Sequence, residues 1–429
     1  MSVDGQHTTA FPEGFLWGVA SAGHQVEGGN DNSDVWLLEH VPGTIFAEPS
    51  GDACDHYHRF ADDIALVADL GLNAFRLSLE WARIEPVEGE FSLEALDHYR
   101  AVLQQCRRRG LATVVTFHHF ASPRWLLARG GWEGVDTPGL FARFCRRAAE
   151  HLCDLVDVAC TLNEPNLPNL LRAVGIGGGP AEERGRVPMW ANAAAALGVR
   201  PETIAPFQFT ASEQGYGVKL AAHRLGRAAI KEVRPDLPVG WTLANSDIQA
   251  GPGGEAVADA VRRDVNLRFL EESRGDDFVG IQTYGRHVFG PDGLLPPPEG
   301  APVNQLGEEV YPWGLEATIR EAAAVAGVPV YVTENGLATA DDSERRAYLR
   351  EAVAGVARCL ADGLDVRGYV VWTLLDNFEW IFGYRPTFGI VAVDRATQVR
   401  TPKPSAYLIG EIARANGRAP AALDAMTNR

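Results

Sequence analysis

The sequence predicts an α/β fold in which eight parallel strands close into one (β/α)₈ barrel. Eight short apolar runs, rich in β-branched and aromatic residues, recur along the chain, and segments with helical spacing separate them. Most of these runs are apolar nearly throughout, as strands buried on both faces by covering helices require. The chain has 429 residues, whereas such a barrel needs about 250, so long loops are expected after some strands.

The strands are predicted in chain order, with room for a helix after each one. They cover residues 15–21, 73–79, 111–118, 158–163, 239–245, 278–284, 328–334 and 367–374. Amphipathic helices are predicted over residues 58–71, 93–110, 215–234 and 343–363. Three of these four segments end at a glycine, which is typical of a helix C-terminus.

Two long loops are expected, over residues 165–212 after the fourth strand and over the Pro- and Gly-rich residues 285–314 after the sixth. Long loops on the C-terminal rim of a barrel build pockets. The GIGGGP run at 175–180 follows no predicted strand and lacks Gly-Lys-Ser/Thr, so we interpret it as a mobile loop rather than a phosphate site. No linker interrupts the pattern, and residues 1–429 are predicted to form a single domain with tails at 1–10 and 418–429.

The charge balance argues against two classes of partner. The chain carries 39 Lys and Arg against 56 Asp and Glu, a net charge of −17, which repels phosphate backbones and anionic lipids. Neither nucleic acid nor a membrane is expected as a partner. The first ten residues lack the apolar core of a signal peptide, and no apolar run has membrane-spanning length. We therefore predict a cytoplasmic protein; the sequence does not indicate its oligomeric state.

The six cysteines are scattered without the paired spacing of a zinc site or the density of a disulfide scaffold. Reduced thiols are expected. Cys54, His56 and His58 are of residue types that ligate metals, but they open an amphipathic helix and no second cluster of ligands follows. Neither a metal nor a cofactor is expected.

Polar and aromatic groups that a buried barrel does not need for packing stand at or just after the ends of nearly all strands. They are Gln25, Glu27, Arg76, Glu80, His118, His119, Asn163, Glu164, Asn245, Tyr284, Glu334, Asn335, Trp372, Asp376, Asn377, Glu379 and Trp380. Hydrogen-bonding groups beside indole rings suit a sugar, whose hydroxyls need polar partners and whose apolar face needs an aromatic platform.

Two carboxyl groups in this set are candidates for a catalytic pair. Glu164 lies in TLNEPN after the fourth strand, and Glu334 lies in VTENG at the end of the seventh. Hydrolysis of a glycosidic bond needs one carboxyl group to protonate the leaving oxygen and another to attack or to activate water. Each short motif alone also fits an ordinary turn, so the prediction depends on both occurring after the expected strands.

Longer motifs resemble those of family 1 glycoside hydrolases, the retaining β-glycosidases that include β-glucosidases. FPEGFLWGVASAGHQVEG resembles the N-terminal signature of that family, TLNEP its acid/base motif and YVTENG its nucleophile motif. VVWTLLDNFEWIFGYRPTFGIVAVD resembles its sugar-binding segment. These motifs are long, occur in the family's order and span nearly the whole chain.

The resemblance implies roles for the matching residues. Glu334 would be the nucleophile and Glu164 the acid/base, with Arg76 and Tyr284 holding and polarising Glu334. The sugar at the nonreducing end would be bound by Gln25, His119, Asn163, Trp372, Glu379, Trp380 and Phe388. A positive Arg76 beside Glu334 favours its ionised form, whereas Glu164, near a second negative charge, is expected to stay protonated.

The chain departs from the family pattern at three places. His119 is followed by Phe-Ala-Ser-Pro where the family has Trp-Asp-Leu-Pro, Gln282 and Thr283 replace Asn-Tyr before Tyr284, and residues 167–188 replace a loop that shapes the leaving-group side. This loop and residues 294–298 are rich in Leu, Val, Ile and Pro. A small or apolar aglycone is therefore expected rather than further sugars, unless distant residues such as Trp190 or Trp313 reach the pocket.

Four alternatives differ in what the sequence should show. A 6-phosphoglycosidase would need basic groups after Glu379, and the WIFGY segment offers none. A thioglucosidase would carry Gln in place of Glu164. A catalytically silent sugar-binding protein would have lost one carboxyl group, and this chain keeps both. A transglycosylase shares the covalent intermediate with the hydrolase and stays open at the level of sequence.

Overall fold

Eight parallel strands form a closed barrel in the computed structural model, which describes residues 11–176 and 181–417. Each strand is hydrogen-bonded to its neighbours in chain order, and the last strand pairs with the first. The predicted (β/α)₈ barrel is confirmed. The barrel strands are β1 Leu16–Ala20, β2 Ala74–Ser78, β3 Ala112–His118, β4 Val158–Asn163, β5 Val239–Ala244, β6 Val279–Gln282, β7 Val330–Asn335 and β8 Val366–Val371.

A helix follows each strand and covers the outside of the barrel. The helix after β5 passes through a π-helical turn, Arg263–Leu267, that joins two α-helical parts. The eight helices are α1 His56–Asp69, α2 Leu93–Arg108, α3 Thr137–Leu152, α4 Glu213–Val233, α5 Glu255–Arg262 with Arg268–Glu272, α6 Gly314–Ala326, α7 Asp342–Ala361 and α8 Pro404–Arg414. The four predicted helices correspond to α1, α2, α4 and α7, with ends shifted by one or two residues.

The βα loops contain more regular structure than their sequence predicts. Residues 165–212 include the helices Leu167–Ala173 and Pro188–Leu197. Residues 285–314 include Arg286–Gly290 and Gly293–Leu294, which form a small sheet with Asp247–Ala250. A hairpin of Val391–Val393 and Arg400–Pro402 precedes α8. The predicted tails, and most of the GIGGGP run, lie outside the described residues.

Tight packing of the strands explains why some of their positions are glycine. A β-carbon at Gly240 in β5 would lie 2.3 Å from the backbone oxygen of Phe278, so only glycine fits there. All strands run in the same direction, and their C-terminal ends therefore meet on one rim, where Glu164 and Glu334 are brought together.

Other expectations of the sequence concern membranes and thiols. Among the described residues, no helix is long and apolar enough to span a bilayer. The six cysteines are buried free thiols. His56 and His58, considered above as metal ligands, contact separate carboxylates instead, Asp63 at 2.8 Å and Asp55 at 2.7 Å.

Candidate active site

A pocket of about 440 Å³ opens on the C-terminal rim of the barrel. Its walls come from the ends of the strands and from the long loops after them. Ten sequence-predicted residues line this pocket: Gln25, His119, Glu164, Asn245, Tyr284, Glu334, Trp372, Glu379, Trp380 and Phe388.

Glu334, near the end of β7, is bound by three donors, one from β2, one from the end of β6 and one from the segment directly after β6. Arg76 forms an ion pair with Oε1, and the Nε2 of Gln282 donates to the same oxygen at 2.9 Å. The hydroxyl of Tyr284 donates to Oε2 at 2.6 Å. Charge-assisted hydrogen bonds of this kind stabilise an ionised carboxylate and fix its orientation.

Glu164 occupies a different environment directly after β4. Its backbone is in the left-handed region, with φ of 48°, and its N–H donates to the carbonyl of Thr242 in β5 at 2.7 Å. Its side chain is nearly buried and lines the pocket. No hydrogen bond joins that carboxyl group to another residue in the described part of the chain.

The two carboxyl groups therefore differ in proton affinity. Burial raises the pKa of Glu164 well above its usual range, and the negative charges of Glu334 and Glu379 raise it further. Burial also raises the pKa of Glu334, but less than that of Glu164, because the Arg76 charge and the hydrogen bonds from Tyr284 and Arg76 oppose the rise. In a pair that shares one proton, the proton therefore resides on Glu164 and the charge on Glu334.

Asn163, the last residue of β4, connects the donors around this pair. Its Oδ1 accepts from Arg76 Nη2 at 2.6 Å, from Gln282 Nε2 at 2.9 Å and from Thr242 Oγ1 at 3.0 Å. Because three donors point at this atom of the Asn163 amide, it is the oxygen Oδ1. The amide nitrogen Nδ2 then lies 3.2 Å from Nε2 of His119. Gln282, a departure from the family pattern, thus bridges Glu334 and Asn163.

Comparison with known proteins decides the family. The sequence model of Glycosyl hydrolase family 1 matches residues 7–194 and 298–418, which is more than half of the chain. The chain belongs to this family.

Curated relatives and solved structures agree with the assignment. The chain is 30% identical to "Beta-glucosidase A" of Thermotoga maritima, covering 95% of this chain and 98% of that protein. It is 31% identical to a "Beta-glucosidase" of Agrobacterium sp., covering 92% of this chain and 93% of that protein. The structure of the beta-glycosidase BGL167 superposes with a TM-score of 0.94 at 69% identity, covering 96% of this chain and 99% of that one. The structure of the T. maritima beta-glucosidase in complex with noeuromycin superposes with a TM-score of 0.82 at 27% identity, covering 95% of this chain and 99% of that one.

The resemblance to family 1 also predicts seven sugar-binding residues, and six of them line the pocket; the seventh, Asn163, contacts His119 from outside the lining. Glu379 accepts from Trp372 Nε1 and from Gln25 Nε2, both at 3.3 Å. The ring of His119 lies nearly parallel to that of Trp372, with centroids 5.8 Å apart, and to that of Trp380, 6.1 Å apart. Among the described residues, Oε1 of Gln25 and Nδ1 of His119 have no protein partner, and both residues line the pocket.

Eight residues of the strand-end set do not line the pocket. Two of them, Arg76 and Asn163, belong to the hydrogen-bonded group around Glu334 described above. His118 points into the layer between barrel and helices, where it contacts Ser122 and the rings of Trp132 and Phe207. Four others have partners elsewhere in the fold: Glu27 is bound by Arg83 and Tyr99, Glu80 by Asn30, Asn335 by Tyr348 and Tyr369, and Asp376 by Lys403. Asn377 is buried.

Sequence reasoning also missed several residues that line the pocket. Phe120 packs edge-on against Trp380, with centroids 5.1 Å apart, and Phe209 and His287 come from the long loops. Phe120 has φ of 69°, a backbone conformation that its sequence does not indicate. Trp190 and Trp313, considered as sugar platforms, are not among the lining residues: Trp190 packs on Phe209, and Trp313 is half exposed beside Tyr311.

Proposed function

We propose that this family 1 enzyme hydrolyses terminal nonreducing β-D-glycosides, in the manner of a β-glucosidase, through a covalent glycosyl-enzyme. The observation that carries the proposal is the unequal environment of two carboxyl groups in one pocket. Glu334 is bound by Arg76, Gln282 and Tyr284, whereas Glu164 faces the pocket without such donors. One group suits a nucleophile and the other suits an acid.

In the first step, Glu334 attacks the anomeric carbon and the glycosidic bond breaks. Glu164 gives its proton to the departing oxygen, so that the aglycone leaves as a neutral alcohol. Formation of the ester removes the negative charge of Glu334. Since that charge raises the pKa of Glu164, Glu164 becomes a stronger acid as the bond to Glu334 forms.

In the second step, Glu164 acts as a base. It takes a proton from water, the water oxygen attacks the anomeric carbon, and the ester bond to Glu334 breaks. Two inversions at the same carbon give overall retention. Arg76 and Tyr284 receive the returning carboxylate because both already contact its oxygens in the free enzyme.

The sugar itself is assigned to the polar groups around the catalytic pair. Gln25, His119, Asn163 and Glu379 would bind its hydroxyls, Trp372 and Trp380 would contact its apolar face, and Phe388 would lie beside the exocyclic carbon. The side chain of Phe388 packs edge-on against Tyr284, with centroids 5.7 Å apart, which supports its position next to the nucleophile.

Product stereochemistry tests this proposal. Nuclear magnetic resonance of a reaction with an aryl β-glucoside should show the β-anomer of glucose first, before mutarotation. Parallel assays with β-glucoside, β-galactoside, β-fucoside and β-mannoside rank the sugars. A first product in the α-configuration would contradict the retaining mechanism, and absence of hydrolysis across the whole panel would favour a silent sugar-binding protein.

The leaving-group side of the pocket supports a small or apolar aglycone. Its wall is formed by the helix Leu167–Ala173 with the residues after it, and by the segment around Leu294 that follows the small sheet. The aliphatic and proline side chains there are Leu167, Leu170, Leu171, Val174, Ile176, Leu294, Leu295, Pro296, Pro297, Pro298 and Leu306. Such a surface gains free energy by removing an apolar group from water, at about 25 cal/mol per Å², and offers few partners for hydroxyls.

Octyl β-glucoside should therefore have a higher specificity constant than cellobiose, and cellotriose should show no gain over cellobiose. Replacing Leu295 with Asn should reduce the advantage of the octyl group, because the partly exposed Leu295 side chain borders the pocket. Val135→Asn, an exposed position away from the pocket, is the matched control. A specificity constant that rises with each added glucose unit would show sugar subsites and contradict the apolar-aglycone proposal.

A further inference from the structure

A lysine that takes no part in the proposed chemistry is buried behind the acid/base residue. Lys219 lies on α4 and is 1% exposed. Its Nζ donates to the carbonyl oxygens of Pro165 at 3.0 Å, Phe207 at 3.1 Å and Thr210 at 2.9 Å. It also lies 4.5 Å from the centre of the Phe207 ring. The three protons of the ammonium thus match three backbone acceptors and one aromatic face.

These carbonyls belong to two segments that border the pocket. Pro165 directly follows Glu164 in the chain. Phe207 and Thr210 enclose Gln208 and Phe209, which line the pocket. Lys219 therefore links the backbone that carries the acid/base carboxyl group to a wall of the same pocket.

The backbone at Glu164 needs such support. Its φ of 48° is unfavourable for a residue with a β-carbon, and such conformations persist where the surrounding structure fixes them. On one side, the N–H of Glu164 bonds to Thr242, and the side chain of Asn166 bonds to the backbone of Ala244 and Val265. On the other side, the contact to the carbonyl of Pro165 comes from Lys219.

We propose that Lys219 is a positioning residue for Glu164, its ammonium fixing the Glu164–Pro165 turn so that the carboxyl group meets the departing oxygen. This inference rests on the proposed function, in which Glu164 is the proton donor. Lys219 acts through the backbone and does not touch substrate.

A charge at this position has an energetic reason. Burial lowers the pKa of Lys219 to about 7, and the charged form is favoured by its three hydrogen bonds, all of them to carbonyl oxygens that can only accept. Glu133, the acidic group whose charge acts on Lys219, is itself bound by Arg184 at 3.0 Å and by Ser212 at 2.6 Å. An aliphatic side chain at 219 would leave the carbonyl of Pro165 without this donor, and the turn would then be held only by its contacts to Thr242, Ala244 and Val265.

The test compares glycosides whose leaving groups need the acid to different degrees. In Lys219→Met, the specificity constant for methyl β-glucoside should fall about tenfold or more, a part of the 10²–10⁴-fold that a general acid contributes. The specificity constant for 2,4-dinitrophenyl β-glucoside, whose leaving group needs no proton, should stay close to wild type. Inhibition by glucose should be unchanged because the sugar-binding groups are not altered.

Two further variants separate positioning from stability. Lys219→Gln keeps two N–H donors and should show a smaller loss on the methyl glycoside than Lys219→Met. Ala229→Gly, a buried position on the same helix, should lower the melting temperature without changing the ratio between the two substrates.

Equal loss on both glycosides in Lys219→Met, or failure of both Lys219 variants to fold, would overturn the positioning role and leave Lys219 as a purely structural residue. The proposed function fails separately, if the wild-type enzyme hydrolyses neither glycoside or if Glu164→Ala shows no dependence on the leaving group.

Discussion

Replacing Glu334 with glycine should abolish hydrolysis of every β-glycoside. The variant loses the carboxylate that Arg76, Gln282 and Tyr284 hold in place, whereas Glu379 in the same pocket accepts from the uncharged donors of Trp372 and Gln25. Loss of a nucleophile costs on the order of 10⁴–10⁶-fold in turnover. Stopped assays with 2,4-dinitrophenyl β-glucoside measure the remaining activity.

Added azide should restore turnover in Glu334→Gly, because the small anion fits where the carboxylate was and is attracted by Arg76. Attack from that face gives an α-glycosyl azide while the phenolate departs. Formate should rescue in the same way. Glu334→Gln, in which an uncharged amide fills the space, should be inactive and gain nothing from azide. Rescue of Glu334→Gln, or a β-glycosyl azide from Glu334→Gly, would contradict the assignment of the nucleophile.

Replacing Glu164 with alanine should give losses that depend on the leaving group. Methyl β-glucoside should lose about 10²–10⁴-fold in its specificity constant, the contribution of a general acid. Glycosides with a good leaving group should keep most of their wild-type specificity constant, because the first step then needs no proton. Azide should attack the glycosyl-enzyme from the face of the missing carboxyl group and yield a β-glycosyl azide, the opposite configuration to that from Glu334→Gly.

The pH profile offers a second measure of Glu164. Burial and the charge of Glu334 raise the pKa of Glu164, and Glu164 acts as an acid only while protonated. The specificity constant of the wild type should therefore fall as pH rises through that pKa, and it should fall at low pH as Glu334 gains a proton. Glu164→Ala should lack the alkaline fall. The control variant Glu308→Gln removes a carboxylate that lines the pocket and should keep the wild-type dependence of the specificity constant on both pH and leaving group. An equal loss on all leaving groups in Glu164→Ala would count against the acid/base role.

The strands could be predicted from sequence because their physical cause is local. A parallel strand buried on both faces needs a nearly continuous apolar run, and all eight runs occur in β1 to β8. Closure of the barrel then placed Glu164 and Glu334 on one rim, although 170 residues separate them in the chain. The residues of the candidate site could be predicted because they lie in long motifs that resemble those of family 1 and occur in the same order.

The orientation of individual side chains could not be predicted. His118 and His119 are adjacent in sequence, yet His118 packs against Trp132 outside the barrel and His119 faces the pocket. The sequence shows only that Gln282 stands where the family has Asn, whereas in the structure its side chain bridges Glu334 and Asn163. Lys219 gave no signal in the sequence, because its three acceptors are backbone carbonyls brought together by tertiary packing.

The central claim, that Glu334 forms the covalent intermediate, is tested most directly by trapping it. A 2-deoxy-2-fluoro-β-glucoside with a dinitrophenyl leaving group should form the glycosyl-enzyme quickly and hydrolyse slowly. The fluorine destabilises the transition states of both steps, and the good leaving group restores the rate of the first step only. Intact-protein mass spectrometry should show the addition of one fluoroglucosyl group, and peptide mapping should place it on Glu334. Release of dinitrophenol without any added mass, or an adduct on Glu164 or Glu379, would contradict the account.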